Sequence, residues 1–235
     1  MTRGDPAVVN ALAAHRPVIA FDNAGVGRST GETPDNVAAM ARDAVDFINL
    51  LGLTEVDLLG FSLGGFIAQQ IAAEHGPLVR KLILAGTAPR GGEEHLLAVL
   101  QEAFSDTDAP DPRLPLFFTK SSDSRSSGLE FLKRTKMRKD DRDTDSGSAV
   151  TDPQAKAVIT WCATPDPEHA ILRAIRQPTL VVSGSHDTML PADNAYVMFK
   201  ALSNAQLVLY PDSGHGALFQ HHELFVSQVR TFLEA

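Results

Sequence analysis

The chain has 235 residues, of which 43% are hydrophobic, so it is long enough to bury one substantial core. Its formal net charge of −8 disfavours nucleic acids and anionic membranes as partners, because both bind to basic surfaces. The single cysteine, Cys162, cannot form an intramolecular disulfide and gives no support to a cysteine-based zinc site.

The start of the chain predicts no secretory signal. Residues 1–17 contain polar and charged breaks, and no apolar run approaches the length that spans a bilayer. We therefore expect a cytoplasmic protein that acts on a small molecule and needs no cofactor. The oligomeric state stays open.

Short apolar segments alternate with amphipathic helical patterns, which is typical of an α/β protein with a mostly parallel sheet flanked by helices. Segments rich in Val, Ile and Leu predict five buried strands. These strands are Pro17–Asp22, Val56–Phe61, Lys81–Gly86, Thr179–Gly184 and Gln206–Tyr210.

Three helices are predicted around these strands. The first is expected to be capped by Thr33, and its apolar residues recur at helical spacing until Gly52 ends it. The second runs over about Gly64–His75, and the third closes the chain over about Leu218–Leu233.

The region between the third and fourth predicted strands has no strand-like run. Four modest helical patterns occur there, at Glu93–Phe104, Ser127–Lys139, Pro153–Cys162 and Glu168–Ile175. We predict an α/β core of residues 1–88 and 176–235 with a helical insertion at 89–175. The alternative is a partly disordered linker, because the middle of this region is strongly polar.

Aromatic residues of the insertion are candidates for the wall of a substrate pocket. Trp161, Phe117 and Phe118 would supply apolar surface to such a pocket. Packing in the hydrophobic core is the alternative for each of them.

The strongest chemical signal is a serine between a strand and a helix. Ser62 follows the strand Val56–Phe61 and stands in the pattern G-x-S-x-G with Gly60 and Gly64. Such a turn holds the serine at positive φ, and we expect both glycines to be needed because side chains there would collide. The backbone amide of Leu63 then becomes a candidate oxyanion donor.

A serine hydroxyl needs a base to become a good nucleophile. His215 follows the last predicted strand, and Asp187 follows the strand before it. The carboxyl ends of parallel strands share one edge of a sheet, so we expect Ser62, Asp187 and His215 to lie near one another there.

Other residues offer alternatives. His186 is a rival base and Asp212 a rival acid, although Asp212 is also typical of a turn. The adjacent His221 and His222 suggest a metal site, but neighbouring helical positions face different ways. Gly25 and Gly27 suggest a dinucleotide-binding loop, but the third glycine and the apolar helix of such a loop are missing.

Four segments together resemble the α/β-hydrolase superfamily. They are Phe21–Ser29, Gly60–Gly65, Gly184–Asp187 and Asp212–His215, in the family's order. The resemblance implies that Ser62 is the nucleophile, His215 the base and Asp187 the acid that orients the base. It also implies that the insertion acts as a cap over the pocket.

The resemblance also implies three strands ahead of Pro17–Asp22, the third ending in a loop that supplies an oxyanion amide. We expect these strands and this loop to be absent from the chain, as in an amino-terminally incomplete version of a longer protein. The loss would leave a gap in the sheet unless the two flanking strands pair directly. Losing one oxyanion donor lowers turnover by about 10²- to 10³-fold, so weak activity is expected.

These observations predict a serine hydrolase that cleaves a small ester-like or other acyl substrate. A serine at this turn disfavours the epoxide hydrolases and haloalkane dehalogenases of the superfamily, which use a carboxylate nucleophile. One alternative is a cofactor-free haloperoxidase or perhydrolase of the same fold. Another is a non-catalytic protein that keeps the fold for ligand binding.

Overall fold

The computed structural model describes residues 5–92, 96, 98–99, 111–140, 142–143 and 146–235. Its centre is a parallel sheet whose strands follow the chain order from one edge to the other. The strands are β1 (Val56–Phe61), β2 (Val79–Ala85), β3 (Thr179–Gly184) and β4 (Ala205–Tyr210). Because all pairs are parallel, the carboxyl ends of all four strands lie together along one side of the sheet, which we call the carboxyl edge or simply the sheet edge.

Helices cover both faces of this sheet. They are α1 (Pro6–Ala13), α2 (Val37–Leu50), α3 (Leu63–Glu74), α4 (Arg113–Phe117), α5 (Ser122–Thr135), α6 (Ser148–Ala163), α7 (Ala170–Ala174), α8 (Ala192–Ala201), α9 (Ala217–Gln220) and α10 (His222–Glu234). Alternate residues of β2 point to opposite layers. Leu82 and Leu84 pack with α2 and α3, whereas Ile83 and Ala85 pack with α1 and α10. Across the described residues, no helix has the length and apolar character that a bilayer span requires.

Four of the five predicted strands are confirmed, and Pro17–Asp22 is wrong. This segment is not a strand and pairs with no strand of the described chain. Val18 and Ile19 are 39% and 56% exposed. The ring of Phe21 stacks instead on Phe47 of α2, with 4.8 Å between the ring centroids. An apolar run becomes a strand only where a neighbour takes up its backbone hydrogen bonds, and local sequence does not reveal that neighbour.

Helix α2 begins later than its predicted cap. Asn36 is the N-cap, and its side-chain oxygen accepts a hydrogen bond from the Ala39 amide at 2.8 Å. Thr33 instead donates its hydroxyl to the carbonyl oxygen of Ala24 at 3.0 Å. Thr33 and Asn36 are both good capping residues, but the bond to Ala24 leaves only Asn36 to cap the helix. Gly52 ends the helix as predicted, with a φ of 70°.

The other two predicted core helices had different outcomes. Helix α3 is confirmed to within one residue at each end. The closing helix is divided into α9 and α10 at His221, whose φ and ψ are −105° and 38°. The ring of His221 stacks on Tyr210 at 5.1 Å between centroids. That contact accompanies the break, which the continuous apolar pattern did not indicate.

Between β2 and β3, the described residues contain helices and no strand. Three predicted helical patterns correspond to α5, α6 and α7, with shifted bounds. Helix α5 begins five residues earlier than predicted because Ser121 caps it and accepts from the Ser124 amide at 3.1 Å. The predicted helix Glu93–Phe104 lies outside the described residues except for Leu96, Ala98 and Val99.

The far end of α5 is attached to the core through an ion pair. Two guanidinium nitrogens of Arg134 donate to the carboxylate of Asp5, with the Nη2–Oδ2 distance at 2.7 Å. Asp5 is also the N-cap of α1, and its side chain is fully buried. The pair therefore ties the start of α1 to the end of α5.

The turn from β1 into α3 depends on close backbone approach. A Cβ built on Gly60 would lie 2.3 Å from the carbonyl oxygen of Gly64. A Cβ on Gly65 would lie 2.5 Å from side-chain atoms of Thr87. At Gly64 itself, apart from its chain neighbours and the backbone of its own helix, no described atom lies within 4 Å of such a Cβ. The prediction that Gly64 is needed for steric reasons is therefore wrong, because the crowded positions are Gly60 and Gly65.

We expect Gly60→Ala and Gly64→Ala to change stability in opposite directions. The methyl group of Gly60→Ala meets backbone, so the free energy of unfolding should fall by about 3 kcal/mol or more. Gly64→Ala places a methyl group in open space within a helix, and should raise that free energy by up to about 1 kcal/mol. Chemical denaturation measures both. Equal losses in the two variants would contradict this description of the turn.

Candidate active site

The loops that follow the strands bring the predicted site residues to one edge of the sheet. Ser62 follows β1, Asp187 follows β3 and His215 follows β4. Gly86, after β2, lies between them, since a Cβ there would be 3.0 Å from the Phe61 ring and 3.4 Å from Nδ1 of His215. The carboxyl edge of the parallel sheet therefore assembles residues that are far apart in sequence.

Asp187 and His215 form a buried pair. Nδ1 of His215 lies 2.8 Å from Oδ2 of Asp187, and the two side chains are 1% and 0% exposed. The second carboxylate oxygen, Oδ1, accepts the amides of Met189 and Leu190, both at 2.9 Å. These bonds hold the carboxylate in one orientation, and the carboxylate in turn fixes the tautomer and plane of the imidazole.

The other ring nitrogen of His215 is left free. Nε2 is buried and has no hydrogen-bond partner in the described part of the chain. A buried polar atom without a partner costs free energy, and a ligand or a reacting group that hydrogen-bonds to it removes that cost. Nε2 is the atom that a general base would use.

Ser62 occupies a strained position at the start of α3. Its φ is 54°, in the left-handed region that a residue with a side chain rarely adopts. Its amide donates to the carbonyl oxygen of Ala85 at 3.1 Å, and its own carbonyl oxygen accepts the Thr87 hydroxyl at 3.0 Å. These bonds join the turn to the end of β2. The hydroxyl of Ser62 forms no hydrogen bond with Nε2 of His215 in this structure.

The amide of Leu63 stands at the first position of α3. The first amides of a helix have no acceptor within the helix, and the helix dipole makes this end favourable for negative charge. The position suits an oxyanion donor one residue after the serine.

The rival site residues are placed elsewhere. His186 is exposed, and its Nδ1 lies 2.8 Å from the Ser185 hydroxyl. The carboxylate of Asp212 accepts hydroxyl groups of Thr119 and Ser121 and does not contact His215. The hydrogen bonds from these hydroxyls lower the pKa of the Asp212 carboxyl, and the bond from Ser121 has the larger effect.

The suggested metal and dinucleotide sites find no support in the described residues. No cluster of three His, Cys, Asp or Glu side chains there could hold a metal, around His221 and His222 or elsewhere. Gly25 and Gly27 have positive φ and pack within their own loop, since a Cβ on either would meet Thr33 or Asp22 within 2.7 Å. These glycines serve a tight turn.

Aromatic rings surround the histidine. The centroid of Phe61 lies 4.9 Å from that of His215, and the centroid of Phe117 lies 5.5 Å from it. Of the three pocket candidates, Phe117 alone contacts the histidine ring. Phe118 packs with Phe131 in a small apolar cluster.

Trp161, the third pocket candidate, belongs to the main core. It is 4% exposed, and its ring stacks on Phe66 of α3 at 5.4 Å between centroids. Sequence reasoning missed Phe61, although it occupies the variable position directly before the serine. The rings of Phe61 and Phe117 together give the imidazole an apolar setting.

Comparison with known proteins agrees with this architecture. A family model for the alpha/beta hydrolase fold matches residues 3–222. An alpha/beta hydrolase fold protein from Chitinophaga pinensis is 42% identical, with a TM-score of 0.93 over 100% of this chain and 85% of that one. A 2-hydroxymuconate semialdehyde hydrolase from Pseudomonas putida is 29% identical over 93% of this chain and 77% of its own length.

A more distant structure shares the fold. The enol-lactonase from Burkholderia xenovorans is 22% identical, with a TM-score of 0.74 over 97% of this chain and 85% of that one. The family model spans most of the chain and includes all four strands as well as Ser62, Asp187 and His215. The chain belongs to the alpha/beta hydrolase fold family.

Proposed function

We propose that the chain is a serine hydrolase that cleaves a small ester-like or other acyl substrate through an acyl-enzyme. One observation carries the proposal. A fully buried carboxylate orients His215 through Nδ1 and leaves Nε2 without a partner, on the same sheet edge as the strained Ser62. An unsatisfied ring nitrogen alone does not identify a base, since Nδ1 of His169 is also buried without a partner among the described residues. The combination with the buried carboxylate of Asp187 supports this role for His215.

The reaction begins at the hydroxyl of Ser62. Its oxygen attacks the substrate carbonyl carbon while Nε2 of His215 takes the hydroxyl proton. Asp187 stabilises the imidazolium that results, and the Leu63 amide donates to the oxyanion. The leaving group departs with the proton from Nε2. Water, activated by the same nitrogen, then hydrolyses the acyl-enzyme and releases the carboxylic acid.

The surroundings of the pair favour this chemistry. Asp187 and His215 are almost fully buried, and the rings of Phe61 and Phe117 lie beside the imidazole. Few water dipoles screen a charge in such a setting, so the carboxylate stabilises a transient imidazolium more strongly than it would in water. The side chains of Ser62, Asp187 and His215 supply the nucleophile, the acid and the base that acyl transfer requires.

The insertion is proposed to cover the site as a cap. Phe117, at the end of α4, contacts the ring of His215. Helix α6 packs on α3 through Trp161 and Phe66. The insertion thus approaches the sheet edge from two places. The relative from Pseudomonas putida is named for hydrolysis of a small organic compound, which supports a small-molecule substrate here.

A fluorophosphonate probe should label the protein at Ser62. The probe reacts with serine hydroxyls that have an effective base, so Ser62→Ala should abolish labelling. Ser185→Ala is the matched control, because Ser185 also contacts a histidine but lies on an exposed loop. Mass spectrometry of the labelled peptide provides the measurement.

Labelling of Ser62→Ala at the wild-type rate would contradict the assignment of the nucleophile. Absence of labelling in a folded wild-type protein would favour a ligand-binding function instead. A panel of chromogenic esters of graded acyl length then defines the preferred acyl group.

Asp187→Asn should lower kcat for such an ester by about 10³- to 10⁴-fold with the fold retained, because an amide in that place stabilises the wrong imidazole tautomer. Asp193→Asn, in the first turn of α8, is the control and should leave kcat unchanged. Steady-state kinetics with circular dichroism as the check on folding distinguishes the two. Retention of more than a tenth of the wild-type kcat in Asp187→Asn would contradict the proposal that Asp187 orients the catalytic base.

A further inference from the structure

The loop that carries His215, residues 211–216, is held from two sides. We call it the histidine loop. On the core side, the amide of His186 donates to the carbonyl oxygen of Ser213 at 2.9 Å. The backbones approach so closely that a Cβ on Gly184 would lie 2.2 Å from the carbonyl oxygen of Gly214. The loop after β3 therefore supports one face of the histidine loop.

The other face rests on residues 116–121 of the insertion, which we call the supporting segment. The amide of His215 donates to the carbonyl oxygen of Leu116 at 3.3 Å, and the amide of Gly216 donates to that of Phe117 at 3.0 Å. A Cβ on Gly214 would lie 3.0 Å from the Phe117 carbonyl group. The backbone on either side of the histidine ring is thus bonded to the insertion.

A second attachment lies three residues before the histidine. Oδ1 of Asp212 accepts the Thr119 hydroxyl at 2.6 Å, and Oδ2 accepts the Ser121 hydroxyl at 2.5 Å. The φ of Asp212 is 46°, a left-handed conformation that has a cost for any residue with a side chain. Both carboxylate oxygens thus bind the supporting segment from a strained backbone position.

A buried polar link closes the arrangement. The hydroxyl of Ser124, on α5, is fully buried and donates to Oε1 of Gln220 at 2.7 Å. Nε2 of Gln220 donates to the carbonyl oxygen of Asp212 at 2.8 Å. Helix α5 is anchored at its far end by the pair between Arg134 and Asp5. The supporting segment is therefore attached to a fixed helix.

We propose that the supporting segment sets the position of the His215 imidazole and that Asp212 is the positioning residue that fastens the two together. This proposal rests on the function proposed above. In the described part of the chain, the amides of His215 and Gly216 donate only to the insertion. The insertion therefore orients this backbone, whereas Asp187 orients the ring. The insertion thereby determines turnover and not only substrate binding, and its displacement would move Nε2 away from Ser62.

Two variants test this role. Asp212→Gly removes both hydrogen bonds of the carboxylate. Glycine also accepts the positive φ, so any loss of activity is due to the missing carboxylate and not to added backbone strain. Thr119→Val keeps the size of the side chain and removes the hydroxyl that donates to Asp212 and accepts the Ser121 amide at 3.3 Å. A misplacement of about 1 Å in a catalytic group lowers the rate by up to about 100-fold. We therefore expect kcat for a chromogenic ester to fall by about 10- to 100-fold in Asp212→Gly and less in Thr119→Val, with KM within about threefold of wild type.

The rate of fluorophosphonate labelling at Ser62 should fall in parallel, because it reports the nucleophile and base without the ester-binding pocket. Asp212→Asn, which keeps one acceptor oxygen and accepts the positive φ, should restore part of both rates. Ser122→Ala is the matched control, because its hydroxyl lies next to Ser121 but contacts only Asp123. It should behave as wild type.

The outcomes separate this proposal from the proposed function. A rise in KM with kcat unchanged would mean that the supporting segment only shapes the pocket, and would overturn the proposal. Labelling rates and kcat of both Asp212→Gly and Thr119→Val within twofold of wild type would overturn it as well. A folded wild-type protein that is not labelled at Ser62 would overturn the proposed function and this proposal with it.

Discussion

The hydrogen bond between His215 and Asp187 is the interaction around which the candidate site is organised. A carboxylate loses its hydration on burial and is stable only when polar partners replace the water. Here the imidazole and the amides of Met189 and Leu190 supply those partners. The bond requires the loops after β3 and β4 to meet, so the order of the strands in the sheet decides whether the site can exist.

That meeting depends on how closely backbone segments approach at the sheet edge. Gly184 is in contact with the histidine loop, and Gly60 is in contact with the start of α3. Ser62 and Asp212 hold positive φ values of 54° and 46° on the two loops that carry the proposed nucleophile and base. Strain of this kind persists where the surrounding contacts fix the backbone, and here hydrogen bonds to the end of β2 and to the insertion do so.

The insertion also contacts the candidate site directly. Its backbone bonds to the loop that carries His215, and its ring at Phe117 lies against the imidazole. A sheet edge alone leaves its loops exposed and mobile, because loops are bonded to little else. Contact with a fixed helix such as α5 limits that mobility. The core and the insertion thus contribute different constraints to one histidine.

The sequence by itself determined most of the strands and the candidate site residues. Four apolar runs bounded by turn residues became strands, and the serine, acid and base could be named because each follows one of those runs. The features that depend on long-range contacts could be read only from the tertiary structure. Residues 17–22 have no partner strand among the described residues, and Asn36 caps α2 in place of Thr33. A side chain at Gly64 would meet no crowding from outside its own helix. The contact of residues 116–121 with the loop of His215 was equally hidden, because backbone hydrogen bonds between distant segments leave no pattern in either segment's side chains.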